Sequence, residues 1–126
     1  METHAVKRWA GAAAVIMAAW SMGGCQTGLY DWGSYNASVT AMYKPAGMES
    51  AEVGKQIQAI QTEINATEAG AKANMPSRVP PGKYAHLGYL YAIQGDKVEA
   101  RRCFAAEKQL SPESTKFVDV LLVRLK

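Results

Sequence analysis

PGKYAHLGYLYAIQGDKVEARRCFAAEKQLSPES, residues 81–114, decides the fold of this chain. Tyr84, Leu87, Gly88 and Tyr91 recur at the three- and four-residue spacing of one helical face, and Gly95 stops that helix. Asp96 then stands as the N-cap of a second helix, and Glu99 completes a capping box in which each side chain serves the other's amide. Val98, Ala100, Phe104 and Ala105 give this second helix its expected buried side. Ser111-Pro112 opens a third helix, over 112–125, with Ser as N-cap and Pro at the first helical position, where its missing N–H costs nothing. Phe117, Val118, Val120, Leu121, Leu122 and Leu125 leave that helix little polar surface.

Upstream, Val53, Ile57, Ile60 and Ile64 recur at i, i+4, i+7 and i+11, which predicts a helix over 49–69 with one narrow apolar stripe. A short helix over 34–43 carries Tyr35, Val39 and Met42 and ends at Lys44-Pro45-Ala46-Gly47. Asn74 and Pro76 break the chain after the long helix, and Val79-Pro80-Pro81-Gly82 leads into the next one. Nowhere does an alternating strand pattern with turn signals occur. The expected fold class is all-α, with antiparallel helix pairs forming a short solenoid or a compact helical bundle.

The spacing within 81–114 resembles the 34-residue tetratricopeptide repeat. Tyr84 stands at the large-aromatic position, Leu87-Gly88 at the Leu-Gly pair, Tyr91 at the following aromatic, Ala100 at the small site, Phe104 four residues later and Pro112 at the end. Gly88 and Ala100 lack bulk, so two antiparallel helices can approach there. Glu107 departs from the pattern, since Ala is usual at its position, and that substitution is expected to loosen packing. The resemblance implies a partner-facing groove formed by Gly82, Ala85, Tyr89, Ala92 and Ile93, with Tyr89 as its best anchor because aromatics carry much of an interface's energy. Packing of Tyr89 against the 49–69 helix is the competing expectation. Gly33-Ser34-Tyr35, with Ser38 at the small site and Met42 at the aromatic one, resembles a poorer copy of the same unit. A lone repeat cannot bury its own face, so the flanking helices are expected to serve as neighbours and cap.

At the amino terminus Lys7 and Arg8 precede an apolar run, WAGAAAVIMAAW over 9–20, and then Met22-Gly23-Gly24-Cys25. This run is shorter than the roughly 20 residues a membrane span needs. The arrangement resembles the lipobox of bacterial lipoproteins, which implies cleavage after residue 24 and diacylglycerol and fatty acid, such as palmitate, on Cys25. Gln26 in place of Asp resembles the class sorted to the outer membrane. The expected organisation is a signal peptide over 1–24, a lipidated tether over 25–28 and a helical domain over 29–126. A plain secretion signal, or an uncleaved anchor with an incidental cysteine, is the alternative.

LYDWGSY over 29–35, RVPPGKYA over 78–85, GYL over 88–90 and SPES over 111–114 together resemble a family of small Gram-negative outer-membrane lipoproteins of unassigned function. That resemblance implies a place on the periplasmic face of the outer membrane, beside a lipoprotein similar to the curli secretion pore and a second small lipoprotein.

Chemistry is sparsely provided for. The whole chain carries a net charge of +3, and Lys7 and Arg8 against Glu2 account for one unit of it, so the remainder is about +2 with its signs interspersed. Such a balance gives no electrostatic case for nucleic acid. With Cys25 consumed by lipid, Cys103 has no disulfide partner. His86 has too few companions for a metal site and is expected to be a partly exposed helix residue. No nucleophile with a base, carboxylate pair, cofactor cradle or phosphate loop is visible, so the expectation is a membrane-anchored, non-catalytic interaction scaffold without metal or cofactor, its oligomeric state left open. The rival expectation is a thiol-dependent enzyme or redox protein using Cys103 beside Arg102.

Overall fold

Lys83–Gln94 is the helix around which the rest is arranged, and six consecutive residues of it, 83–88, are buried. The structure is a computed structural model that describes residues 28–44, 46–70 and 78–126. The expected signal peptide, Cys25, Gln26, Pro45 and the expected breaker residues Asn74 and Pro76 lie outside the described residues. In chain order the helices are α1 (Tyr35–Met42), α2 (Ser50–Glu68), α3 (Lys83–Gln94), α4 (Lys97–Leu110) and α5 (Thr115–Arg124), with a 3₁₀ turn at Pro112–Ser114. The fold is an all-α helical bundle. Among the described residues its one departure from helix and loop is an isolated parallel bridge between Tyr30 and Arg78.

α3 presents two different faces to two different layers. Tyr84, Leu87 and Leu90 join Val53, Ile57, Ile60 and Ile64 of α2, together with Cys103 of α4, in one cluster. Each aliphatic side chain taken from water there contributes about 1.5–3 kcal/mol. Ala85, by contrast, joins Ala100 and Phe104 of α4 and Val118 and Leu125 of the C-terminal segment in a second cluster. The α3–α4 hairpin, turning through Gly95-Asp96, is thus the middle layer, with α2 on one side and α5 on the other.

Close approach within the hairpin depends on Gly88. A Cβ there would lie 2.7 and 2.8 Å from the Phe104 ring and 3.1 Å from the Ala100 carbonyl oxygen, so only a hydrogen atom fits. α4 is capped by Asp96, whose carboxylate accepts the Glu99 amide at 3.0 Å. The reciprocal half of the box is not made, because the Asp96 amide donates to the Tyr91 carbonyl and the Glu99 carboxylate binds Arg102 at 2.8 Å.

Three further expectations are corrected. Val98 is 76% exposed and Ala105 is exposed; the buried side of α4 is Ala100, Cys103, Phe104 and Glu107, because the helical phase is set by the Gly88 contact. In α1 the buried residues are Ser38 and Ala41, one position off the Tyr35-Val39-Met42 stripe, because that helix packs through a polar contact. Ser111 makes no side-chain cap, and Pro112 begins the 3₁₀ turn before α5 starts at Thr115.

Candidate functional site

Tyr89 and Ile93 lie a turn apart on α3, and both are left out of the two cores, at 39% and 49% exposed. They form one wall of an apolar groove of about 260 Å³, with Ala92 beside them, Phe104 at its floor and Leu121, Arg124 and Leu125 as the opposite wall. Among the described residues Arg124 is the one charged side chain lining it. Beyond the groove, Phe117, Val120 and Val123 are at least half exposed on the outer side of α5. The structure therefore brings together the expected partner-facing residues Tyr89, Ala92 and Ile93 with the apolar last helix. Tyr89 faces Leu121 and Leu125 rather than the α2 cluster.

Ala85 does not belong to this groove. It is 3% exposed beneath Val118 and Leu125, because α5 covers the start of α3 and leaves open only the end of it. Gly82 is engaged elsewhere too. Its φ is +90°, a backbone region L side chains rarely adopt, and its amide donates to Glu107. Of the repeat-pattern residues, Tyr84, Leu87, Gly88, Ala100 and Phe104 are buried, Tyr91 is half-buried and Pro112 is exposed.

Under α3 lies a polar network in which Glu107 has a role opposite to the expected loosening. Its carboxylate, 1% exposed, accepts the amides of Gly82 at 2.7 Å and Ala85 at 3.1 Å. Gly82 has no side chain to cap α3, so a carboxylate from α4 does so, where the helix dipole favours negative charge. Lys83, also 1% exposed, donates from Nζ to Glu63 Oε2 at 2.8 Å and to the carbonyl oxygens of Asp31 at 3.1 Å and Trp32 at 3.4 Å. Glu63 in turn accepts the Ser34 amide at 2.9 Å, and these contacts hold its carboxyl below the usual range against the opposing effect of burial, which is the largest single influence on it. One ammonium thus ties the 31–34 segment, α2 and α3 together.

His86 is buried rather than partly exposed, since its Nε2 lies 2.7 Å from Ser38 Oγ and its ring meets Tyr35 edge-on at 5.5 Å. Burial pulls its pKa down to about 4, so the imidazole is neutral at pH 7. Ser38 is wholly enclosed, and neither residue lines the groove. Cys103 is enclosed as well, and burial pushes its thiol up to about 11 despite Arg102 next to it. Burial and the Glu68 carboxylate, which accepts the Tyr84 hydroxyl at 2.5 Å, raise Tyr84 well above the ordinary phenol range.

A second hollow, of about 390 Å³, mixes polar and apolar walls, with Thr67, Glu68, Arg78 and Ser111 beside Tyr30 and Leu110. Among the described residues no set of three His, Cys, Asp or Glu side chains is placed to hold a metal ion, and no helix is long and apolar enough to cross a membrane.

No curated protein and no solved structure matches the chain. The family model described as Domain of unknown function (DUF4810) matches residues 29–121, from the edge that pairs with Arg78 to Leu121 in the wall of the apolar groove, and the chain belongs to that family.

Proposed function

We propose that this protein is a membrane-anchored, non-catalytic scaffold of the cell envelope, held through lipid on Cys25 at the periplasmic face of the outer membrane. It docks a partner envelope protein in the groove between α3 and α5. The observation that carries this reading is the convergence of Tyr89, Ala92 and Ile93 with Leu121 and Leu125 on one open apolar surface floored by Phe104. Aromatic and aliphatic anchors of this kind supply most of an interface's energy, while a rim charge such as Arg124 selects orientation. The partner that fits is an apolar helical segment with an acidic residue at its edge, and a lipoprotein similar to the curli secretion pore is the candidate the sequence family implies.

The tetratricopeptide-like reading of 81–114 is supported by the Gly88–Phe104–Ala100 contact, and in it α2 and α5 serve as the neighbouring helices that a single repeat requires. The thiol-dependent rival draws no support from Cys103, whose sulfur is enclosed and whose raised pKa leaves little thiolate at neutral pH. Co-purification from detergent-solubilised envelopes tests the scaffold reading. A partner recovered with the natural chain and lost with Tyr89→Ala/Ile93→Ser, at unchanged helicity, is expected; recovery of the lipoprotein alone under gentle extraction overturns it.

A further inference from the structure

Leu29 and Trp32 are 57% and 42% exposed on the edge where the chain enters the domain, yet that edge is held rigidly. Arg78 donates its amide to the Leu29 carbonyl and accepts the Asp31 amide, both at 2.9 Å. Lys83 Nζ fixes the carbonyls of Asp31 and Trp32 from within. The Trp32 ring is propped between Tyr30 and Tyr35, at centroid distances of 6.1 and 5.6 Å. An exposed indole, an exposed aliphatic side chain and the exposed Arg78 are therefore carried on one short stretch of paired backbone. The acidic neighbours are engaged: Asp31 accepts from Thr67, Glu63 from Lys83 and Ser34, and Glu68 from Tyr84.

We infer that this Leu29–Trp32–Arg78 edge is a second membrane contact, seated in the headgroup region of the leaflet that holds the lipid on Cys25. The inference rests on the anchoring reading above. Three residues lie between Cys25 and Leu29, so across those four peptide steps Leu29 lies within about 14 Å of the acylated residue whatever path they take. That distance keeps it in or next to the polar layer of the leaflet. Indole suits that layer because its apolar body and N–H match the boundary between acyl chains and water, and guanidinium there meets lipid phosphate. The contact orients the domain: the 29–32 edge faces the bilayer, and the other elements are carried at fixed positions relative to it.

The test uses the full chain with Trp9→Phe and Trp20→Phe, so that Trp32 is the sole indole whether or not the leader is removed. Lipidated protein from envelopes is reconstituted in phosphatidylethanolamine/phosphatidylglycerol vesicles with acyl chains brominated either near the headgroup or near the methyl end. Shallow bromines are expected to quench Trp32 at least about twofold more than deep ones, with acrylamide excluded, and Leu29→Ser/Arg78→Glu is expected to abolish that difference at unchanged far-ultraviolet circular dichroism. Equal, weak quenching with free access to acrylamide, on protein whose Cys25 carries lipid by mass spectrometry, overturns the inference alone. Absence of lipid on Cys25 in the same spectrum overturns the anchoring reading and this inference together.

Discussion

Replacing Glu107 by Ala restores the residue that the 34-residue pattern favours, and on pattern alone it should be neutral or stabilising. The structure requires the opposite. Glu107→Ala strips the acceptors from the Gly82 and Ala85 amides at the start of the most buried helix. A buried donor left unpaired costs about 1–3 kcal/mol, and the loss of a helix cap about 0.5–2 kcal/mol. Those two figures describe overlapping events, so they are not summed. Removal of the carboxylate also returns part of its own desolvation cost, and a net loss of about 2 kcal/mol is the expectation. In a domain of about 100 residues each kcal/mol shifts Tm by about 4–8 °C, so Glu107→Ala should melt at least about 8 °C lower. Glu107→Gln keeps one acceptor but turns an amide NH₂ toward the other donor, and should fall between. Thermal unfolding by circular dichroism, with urea titration to check that m is unchanged, measures both. An Ala variant within about 2 °C of the natural chain, or above it, would refute the capping argument.

The His86 imidazole predicts acid sensitivity of definite sign. Above pH 6.5 it is neutral folded and unfolded; between there and about 4 only the unfolded chain takes up the proton. Stability should therefore fall as pH falls through that window by about 3 kcal/mol in all, and urea midpoints for the natural chain and His86→Asn should converge toward pH 4. Gly88→Ala sets a gain in helix propensity of about 1 kcal/mol against overpacking of about 1–3 kcal/mol. Because the new Cβ meets a ring that is itself 1% exposed, overpacking should win, and Phe104→Leu in the same chain should recover part of the loss; additive losses would count against the contact. Cys103 should resist iodoacetamide in the native protein and react at once in denaturant. Fast native alkylation followed by mass spectrometry would contradict its burial.

The apolar architecture was legible because it is local. The α2 stripe of Val53, Ile57, Ile60 and Ile64, the turn at Gly95-Asp96 and the bulk-free Gly88 declare themselves within a few residues of chain, and all sit as their spacing implies. The polar interior was not legible, since each member is satisfied from far away: Glu107 by an amide 25 residues earlier, His86 by a serine 48 earlier, Lys83 by carbonyls more than 50 earlier. A lysine, a glutamate and a histidine look like surface residues until their partners are known. Half of the apolar groove was readable on the same terms. Tyr89 and Ile93 stand off the core stripe of α3, whereas Ala85 shares their side of the helix yet is covered, and only the path of α5 separates them.

The buried ammonium of Lys83 has a mechanical consequence. Any force applied at the amino terminus first reaches the bridge at residues 29–31, and the Lys83 bonds to the carbonyls of Asp31 and Trp32 pass that load directly to the first turn of α3 and, through Glu63, to α2. The entry segment is thus held from inside the domain as well as along its paired edge. Segment 31–32, α2 and α3 therefore share a load through one ammonium, and neutralising it would uncouple all three.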